Sequence, residues 1–402
     1  MNLILNRRAL LRAGLATALL LGLRGLAFAA DPARPAPLLL LVSLRGGMDG
    51  LHFLSPADDA RFNAARPSSL IAGNGHPLEA SRETDFRLHA EAGPLAEIWR
   101  DGRMAIWPAA GMPLTTRSHF EAQTLMGWGG GSRGESPVRE GWLARWAAGA
   151  SPAGAEVIGL SVRGGLSAEL AGARHAVAVA SLAGGVAPPQ GEFGAAMLEA
   201  LYRHGRSPVA QAGRDALAGL GGLDRRLPRG ADGKVLPYQP AAGVDYARAG
   251  TFGQALATAA QVAKLSPSLV AATVDLGGWD THEGQPNRFA ERVRVLSHGL
   301  AALDADLAEL GRPWTVLVAS EFGRRLRANR SEGTDHGRAG VVFAFGGGRP
   351  FGLGRRFGPW PGLNAEQLEE GVDLRVATDY REAFRQVVAE LAPDRAPAFA
   401  PG

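Results

Sequence analysis

The sequence predicts an α/β protein with a largely parallel central sheet flanked by helices. Strand-like apolar runs alternate along the chain with amphipathic helix patterns, which is typical of parallel sheets. The run Leu38–Leu44 is unbroken and is followed by Arg45-Gly46-Gly47, as expected for a central strand that is covered on both faces. Residues 269–276 form a second apolar run, which two glycines close.

The remaining predicted elements follow the same alternation. Strands are predicted at residues 104–107, 156–162, 176–180, 314–319 and 341–345, and helices at 94–100, 286–310 and 379–391. The helix at 286–310 has the clearest pattern, because Phe289, Val293 and Leu296 step by four and three along one face. Pro286 suits its first turn, and Gly311 suits its end.

The chain has 402 residues, which is enough to bury a large core. We predict a single α/β domain over residues 38–402. Residues 183–250 are rich in Ala, Gly and Pro and are predicted to form an inserted helical region. The chain has no Cys, which excludes disulfides, a Cys-ligated zinc site and a thiol nucleophile.

The first 29 residues are predicted to be a twin-arginine signal peptide, followed by a linker at residues 30–37. Arg7 and Arg8 precede an apolar run at 13–23 and the cleavage pattern Ala27-Phe28-Ala29. The run is too short to span a bilayer, and an uncleaved amphipathic anchor is the alternative. We therefore expect a periplasmic or secreted protein, delivered by the twin-arginine export machinery, with no stable membrane span in the mature chain.

The charge of the chain does not indicate a nucleic-acid partner. The formal net charge is +4, from 43 basic and 39 acidic residues. Four of the basic residues lie before the first acid, Asp31, so the predicted mature chain is close to neutral. Without an excess of positive charge, electrostatic attraction to nucleic acid is not expected.

Acidic and histidine side chains follow several predicted strands, where chemistry gathers in open α/β sheets. They are Asp49, Asp280, His282, Glu321, Asp335 and His336. Each Asp–His pair alone is more often a hydrogen-bonded turn, so the prediction depends on their joint placement. We predict that Asp49, Asp280, His282 and His336 bind one divalent ion (Zn, Mn, Mg or Ca), with Asp335 and Glu321 as further ligands or as partners of ligands.

A predicted helix start supplies candidates for catalysis. They are Thr115, Thr116, Arg117 and Ser118. A helix N-terminus favours phosphate or sulfate oxygens, and the Arg117 guanidinium suits the same anion. Thr115, Thr116 and Ser118 are candidates for a metal-activated nucleophile. Ser118 and Glu121 have the spacing of a capping box, which favours a cap at Ser118 and a Thr as the nucleophile.

Taken together, these motifs resemble those of a large family of exported bacterial proteins called domain of unknown function 1501. The resemblance rests on the leader and on residues 44–50, 116–120, 278–282, 320–324, 334–337, 346–348 and 360–362. The family is similar to the alkaline phosphatase and sulfatase superfamily. The resemblance therefore implies an alkaline-phosphatase-like fold and metal-dependent hydrolysis, while the activity of the family itself is not established.

Some residues match the pattern of that superfamily. Asp49 matches its metal-binding Asp at the end of the first strand, and His336 matches a later metal-binding His. Residues 115–120 resemble the nucleophile segment of phosphodiesterase members, with Arg117 in place of a Pro.

Other residues depart from the pattern. Asp280 and His282 are two positions apart rather than four, with Asp275 as a possible substitute ligand. Phe322 stands where the superfamily has a metal-binding His. One half of a two-metal site is therefore expected to be altered.

The sequence thus predicts an exported metal-dependent hydrolase of phosphate or sulfate esters, acting on a small anionic ester or a glycan. The alternative is a non-catalytic periplasmic protein that keeps the hydrolase fold and binds a metal or a glycan. The retained Asp49, Thr115, Thr116 and Arg117 favour the hydrolase, and Phe322 favours the alternative.

Overall fold

A computed structural model describes residues 36–131, 140–150, 155–186, 188, 190–348, 351–393 and 399. The predicted twin-arginine leader and most of the predicted linker lie outside the described residues. Within these ranges, no helix combines the length and the apolar character that a membrane crossing needs.

An eight-stranded sheet forms the centre of the described chain. The strands are β1 Leu38–Leu44, β2 Leu54–Pro56, β3 His76–Pro77, β4 Phe86–Leu88, β5 Met104–Gly111, β6 Gly159–Ser161, β7 Ala176–Ala178, β8 Ala271–Leu276, β9 Trp314–Ser320, β10 Gly340–Gly347, β11 Leu368–Glu369, β12 Asp373–Leu374 and β13 Thr378–Asp379. The sheet has the order β13-β5-β10-β9-β1-β8-β6-β7, and the remaining strands form two smaller sheets. Its neighbours pair in parallel except at β10, which is antiparallel to β5 and β9. The predicted α/β class with a largely parallel sheet is confirmed.

Helices cover both faces of this sheet. They are α1 Gly50–Phe53, α2 Ala60–Ala65, α3 Gly93–Arg100, α4 His119–Trp128, α5 Trp142–Ala150, α6 Gly191–Tyr202, α7 Pro208–Arg226, α8 Gly250–Leu265, α9 Gln285–Leu307 and α10 Tyr380–Leu391. Leu38, Leu40 and Val42 of β1 pack in one core with α3, α8 and α9, whereas Leu39 and Leu41 pack in a second core with α5 and α10. This alternation follows from the two-residue period of a strand and explains the unbroken apolar run.

The long helix α9 buries the face that its sequence predicts. Phe289, Val293, Leu296 and Leu300 are all completely buried. The helix begins at Gln285 and ends three residues before the predicted boundary at 310.

The predicted helical insertion at residues 183–250 contains α6 and α7, and the backbone after them is largely irregular. The buried carboxylate of Asp306, on α9, fixes that irregular segment by accepting hydrogen bonds from the hydroxyls of Tyr238 and Tyr246, at 2.7 and 2.9 Å. That the region is an insertion remains a prediction.

The three central strands bring their carboxyl ends together. Strand β1 lies between β8 and β9, with Leu44 opposite both Leu276 and Ser320. The chain turns sharply after β1 at Gly46, whose φ is +121°. A Cβ atom at this position would lie 2.6 Å from the backbone nitrogen of Asp280, so the loops after β1 and β8 touch through their backbones.

Candidate metal centre

Three imidazoles and one carboxylate meet beyond the ends of the central strands. They belong to His119, Asp280, His282 and His336. His119 is the first residue of α4, which begins after its N-cap Ser118. Asp280 and His282 follow β8, and His336 lies in the connection from β9 to β10.

The facing atoms are close enough to share one ion. The Nε2 atom of His336 lies 3.1 Å from Nε2 of His119 and 2.9 Å from Nε2 of His282. From the Asp280 carboxylate, Oδ1 lies 3.1 Å from Nε2 of His336 and 3.0 Å from Nε2 of His282, and Oδ2 lies 3.5 Å from Nε2 of His119. Ligands of a tetrahedral zinc ion, each about 2.0–2.1 Å from the metal, lie about 3.3 Å apart. The spacing therefore fits coordination of one ion.

The opposite nitrogen of each imidazole contacts a hydrogen-bond acceptor. His119 Nδ1 lies 2.7 Å from Glu321 Oε1, His282 Nδ1 lies 3.2 Å from Asp335 Oδ1, and His336 Nδ1 lies 2.9 Å from the backbone oxygen of Arg117. Because carboxylate and carbonyl oxygens accept, Nδ1 carries the proton in each neutral ring. In that neutral form, Nε2 of His119 and Nε2 of His282 each present a lone pair to Nε2 of His336 and to Asp280.

The Glu321 carboxylate is buried beneath the cluster and holds His119 in place. It also accepts hydrogen bonds from the backbone nitrogen of Gly46 at 2.9 Å and from the side chain of Gln123 at 2.8 Å. Burial raises the pKa of Glu321, but the hydrogen bonds from His119 and Gln123 outweigh it, so that the pKa is lowered. Glu321 thus remains ionised and orients an imidazole instead of joining the four facing groups.

The cluster is open to solvent on one side. The side chains of Asp280 and His282 are 46% and 42% exposed, while those of His119 and His336 are more buried. Burial lowers the pKa of His336, even though the hydrogen bond with Asp280 raises it. A ring that resists protonation keeps its Nε2 lone pair available to a metal ion.

Asp49 does not join this cluster, although its position after β1 predicted a metal ligand. Its carboxylate is completely buried and accepts two hydrogen bonds from Arg66, at 2.7 and 3.1 Å. Gln285 and Thr334 donate to it as well, at 2.7 and 3.2 Å. The buried guanidinium of Arg66 therefore supplies the positive charge that a metal was expected to supply.

The proposed substitute ligand Asp275 also lies in an ion-pair network. Its two oxygens accept from Arg45 and Arg163, each at 3.0 Å.

The four candidates for catalysis directly precede His119 in the chain, and the side chains of three of them contact groups outside the cluster. The Thr116 hydroxyl donates to Glu121 at 2.7 Å, and Ser118 Oγ accepts from the backbone nitrogen of Glu121 at 3.4 Å as the N-cap of α4. The Arg117 guanidinium donates to the buried Asp373 at 2.6 Å. Thr115 is exposed. In this segment, it is the Arg117 carbonyl and the His119 ring that contact the cluster.

His119 is the member of the cluster that the sequence prediction missed. It lies in the segment 116–120, in which Thr116 and Ser118 are candidates for a nucleophile and Arg117 is a candidate for binding an anion. One signal was available: a residue directly after an N-cap lies at the tip of the helix, so a His there can face the same ligand as the helix N-terminus.

Two solved structures and one protein family are similar to this chain. Among solved structures it is similar to a 2-O GAG sulfatase, with a TM-score of 0.29 and 12% identity, over 80% of this chain and 66% of that one. A candidate sulfatase from Bacteroides thetaiotaomicron VPI-5482 gives the same TM-score, identity and coverage, so the chain spans about two thirds of the length of both. No curated protein matches it. Residues 232–379 match the family described as "Protein of unknown function (DUF1501)", which confirms the resemblance that the motifs indicated.

Proposed function

We propose that the chain is a metal-dependent hydrolase of phosphate or sulfate esters, with the metal bound by His119, Asp280, His282 and His336. One observation is the main support for this metal centre. Nε2 of His336 and the Asp280 carboxylate lie within 3.5 Å of Nε2 of both His119 and His282, and hydrogen-bond acceptors so close together repel one another unless a cation or a shared proton lies between them.

The set of ligand atoms restricts the choice of ion. Imidazole nitrogens with one carboxylate oxygen suit a borderline divalent ion such as zinc, or the harder manganese, better than calcium, which prefers six to eight oxygens. A divalent ion in such a site supplies a Lewis acid and lowers the pKa of bound water.

The surroundings of the cluster suit an anionic ester. The N-terminus of α4 begins at His119, so the positive end of this helix dipole lies at the metal centre. The exposed side of Asp280 and His282 leaves an approach from solvent. An ester oxygen and its anionic group would thus meet both the ion and a helix N-terminus.

A second candidate function is a non-catalytic protein that binds the metal or a glycan. The contacts of Thr116, Arg117 and Ser118 favour it, since the side chains of these residues already form hydrogen bonds with Glu121 and Asp373.

The test combines metal content with hydrolysis by the full chain. After chelation and reloading with Zn²⁺ or Mn²⁺, we expect about one ion per chain and hydrolysis of p-nitrophenyl phosphate or 4-nitrocatechol sulfate. His336→Ala should lose both properties, while the exposed His204, changed to Ala, should keep both. Metal binding without hydrolysis of any ester would favour the non-catalytic candidate, and a chain that binds no metal would refute the metal-dependent hydrolase and leave only a non-catalytic glycan-binding protein.

We also propose export by the twin-arginine machinery, based on Arg7, Arg8 and the cleavage pattern at 27–29. Replacing both arginines by Lys should retain the precursor in the cytoplasm. Unchanged export of that variant would contradict the proposal.

A further inference from the structure

We propose that Arg324 is the positioning residue of this metal centre: its buried guanidinium joins the loops that carry the ligands and fixes the orientation of the Asp280 carboxylate. The inference rests on the proposed metal site, though not on hydrolysis. Arg324 immediately follows Gly323 in the connection after β9, and its side chain is completely buried.

The guanidinium first ties down the loop after β1. Nε donates to the backbone oxygen of Gly47 at 2.6 Å, and Nη2 donates to the backbone oxygen of Gly46 at 2.6 Å. The backbone nitrogen of Gly46 in turn donates to Glu321, the carboxylate that holds His119. The position of one imidazole is therefore connected to Arg324 through three hydrogen bonds.

The same guanidinium reaches the other two loops. Nη1 donates to the backbone oxygen of Thr334 at 2.7 Å, two residues before His336. Nη2 donates to the backbone oxygen of Trp279 at 3.2 Å and to Asp280 Oδ1 at 2.6 Å. One side chain thus fixes the backbone beside two ligand-bearing segments and also one of the ligating groups.

Its contact with Asp280 comes from the interior of the protein. The Arg324 side chain has no exposed surface, while Asp280 is 46% exposed, so the guanidinium holds the inner side of the carboxylate and leaves the outer side open. The carboxylate is thereby held in one orientation before any ion arrives.

Lysine cannot reproduce this arrangement. Its ammonium group carries three donors at a single point, whereas the planar guanidinium reaches five acceptors that lie on three loops. The backbones are also close, because a Cβ atom on Gly337 would lie 2.4 Å from the backbone carbon of Arg324. Groups that orient metal ligands typically change metal affinity 10- to 100-fold when they are lost.

Arg312 provides a matched control. It is also buried, and it donates to the backbone oxygens of Ala36, Ala263, Pro267 and Leu269. It lies before β9, at the end of the sheet opposite the metal centre. Its loss should remove as many backbone hydrogen bonds as the loss of Arg324, without disturbing a ligand.

The experiment measures Zn²⁺ affinity by chelator competition, the visible spectrum of the Co²⁺ form, and urea unfolding of the metal-free full chain. We expect Arg324→Lys to bind Zn²⁺ about 10- to 100-fold more weakly, with an altered Co²⁺ spectrum. Arg312→Lys should lose stability but keep the wild-type affinity and spectrum. Wild-type affinity in Arg324→Lys, or an equal loss of affinity in Arg312→Lys, would overturn the inference.

A second measurement needs no variant. In a crystal structure of the zinc-loaded wild-type chain, the Arg324 guanidinium should still donate to Asp280, and a guanidinium displaced from that carboxylate would overturn the inference. A wild-type chain that binds zinc but hydrolyses nothing would refute the proposed hydrolase and leave the role of Arg324 supported. A wild-type chain that binds no zinc would refute both.

Discussion

Two carboxylates follow central strands of the same sheet and lie in opposite environments. Asp49, after β1, is completely buried and paired with Arg66, and we call the group formed by Asp49, Arg66, Gln285 and Thr334 the buried Asp49 network. Asp280, after β8, is 46% exposed and faces three imidazoles. The comparison shows that an Asp at a strand end does not by itself indicate a metal ligand. Both carboxylates accept from a buried guanidinium, so what distinguishes them is that Asp280 also contacts imidazole nitrogens, whereas the other partners of Asp49 are Gln285 and Thr334.

The largest effect is expected from breaking the buried Asp49 network. Arg66→Met leaves a buried carboxylate without its counter-charge, which should lower the free energy of unfolding by about 3–5 kcal/mol. Urea denaturation measures this loss. Because the network contains none of the four proposed ligands, the Zn²⁺ affinity of the folded variant should stay within about threefold of wild type.

An exposed ion pair provides the control for this loss. Arg163 pairs with Asp275 and is half exposed, so Arg163→Met should cost no more than about 1 kcal/mol. An equal cost for the two variants would show that burial does not distinguish these pairs.

Lowering the pH should destabilise the fold through His52 and His89 before any carboxylate is protonated. Burial lowers the pKa of His52 to about 3 and that of His89 to about 4. Between the unfolded value near 6.5 and these folded values, the unfolded chain binds more protons, so stability falls as pH falls. Each histidine should cost about 2 kcal/mol between pH 6.5 and pH 5, measured as a fall in the free energy of unfolding.

His89→Asn tests that assignment. The side chain of His89 accepts from the backbone nitrogen of Glu91, and an Asn oxygen can take over that role without titrating. The variant should show about half of the pH dependence. The full dependence in His89→Asn would assign the effect to other groups.

Removing one facing imidazole should separate metal binding from stability. His282→Ala should weaken Zn²⁺ binding by at least 10- to 100-fold, about 1.4–2.7 kcal/mol. The metal-free chain should unfold within about 0.5 kcal/mol of wild type, because His282 is largely exposed and faces other acceptors. A large loss of stability without metal would indicate that the imidazoles hold the fold together by sharing protons.

The sequence predicted the elements that depend on local pattern. Strand β1 has the bounds that the apolar run predicted, and helix α9 buries the predicted face, since both signals come from side-chain periodicity within one segment. Asp280, His282 and His336 were identified because each follows a strand in a turn rich in Gly.

The positions that the sequence did not predict depend on distant partners. Asp49 was expected to bind metal because nothing in its own segment reveals that Arg66, 17 positions away, folds back on it. His119 was not predicted to join the cluster because it lies on α4, 161 or more positions before Asp280, His282 and His336 in the chain. Such contacts are set by the packing of separate elements and leave no periodic signal in the sequence.

The smallest expected effect distinguishes a cap from a nucleophile at Ser118. Its Oγ accepts from the backbone nitrogen of Glu121 at the start of α4, so Ser118→Ala should cost about 1 kcal/mol in urea unfolding. Ser118→Asp keeps an N-cap acceptor and removes the hydroxyl, so it should retain wild-type stability. If the metal centre hydrolyses esters without a covalent step on Ser118, both variants should keep hydrolysis within a few fold of wild type.

A stable Ser118→Asp with no detectable turnover but normal Zn²⁺ affinity would instead make Ser118 the nucleophile. The conclusion drawn from the two strand ends would then need revision. Ser118, although its Oγ accepts a local hydrogen bond from Glu121, would have to release that bond during the reaction.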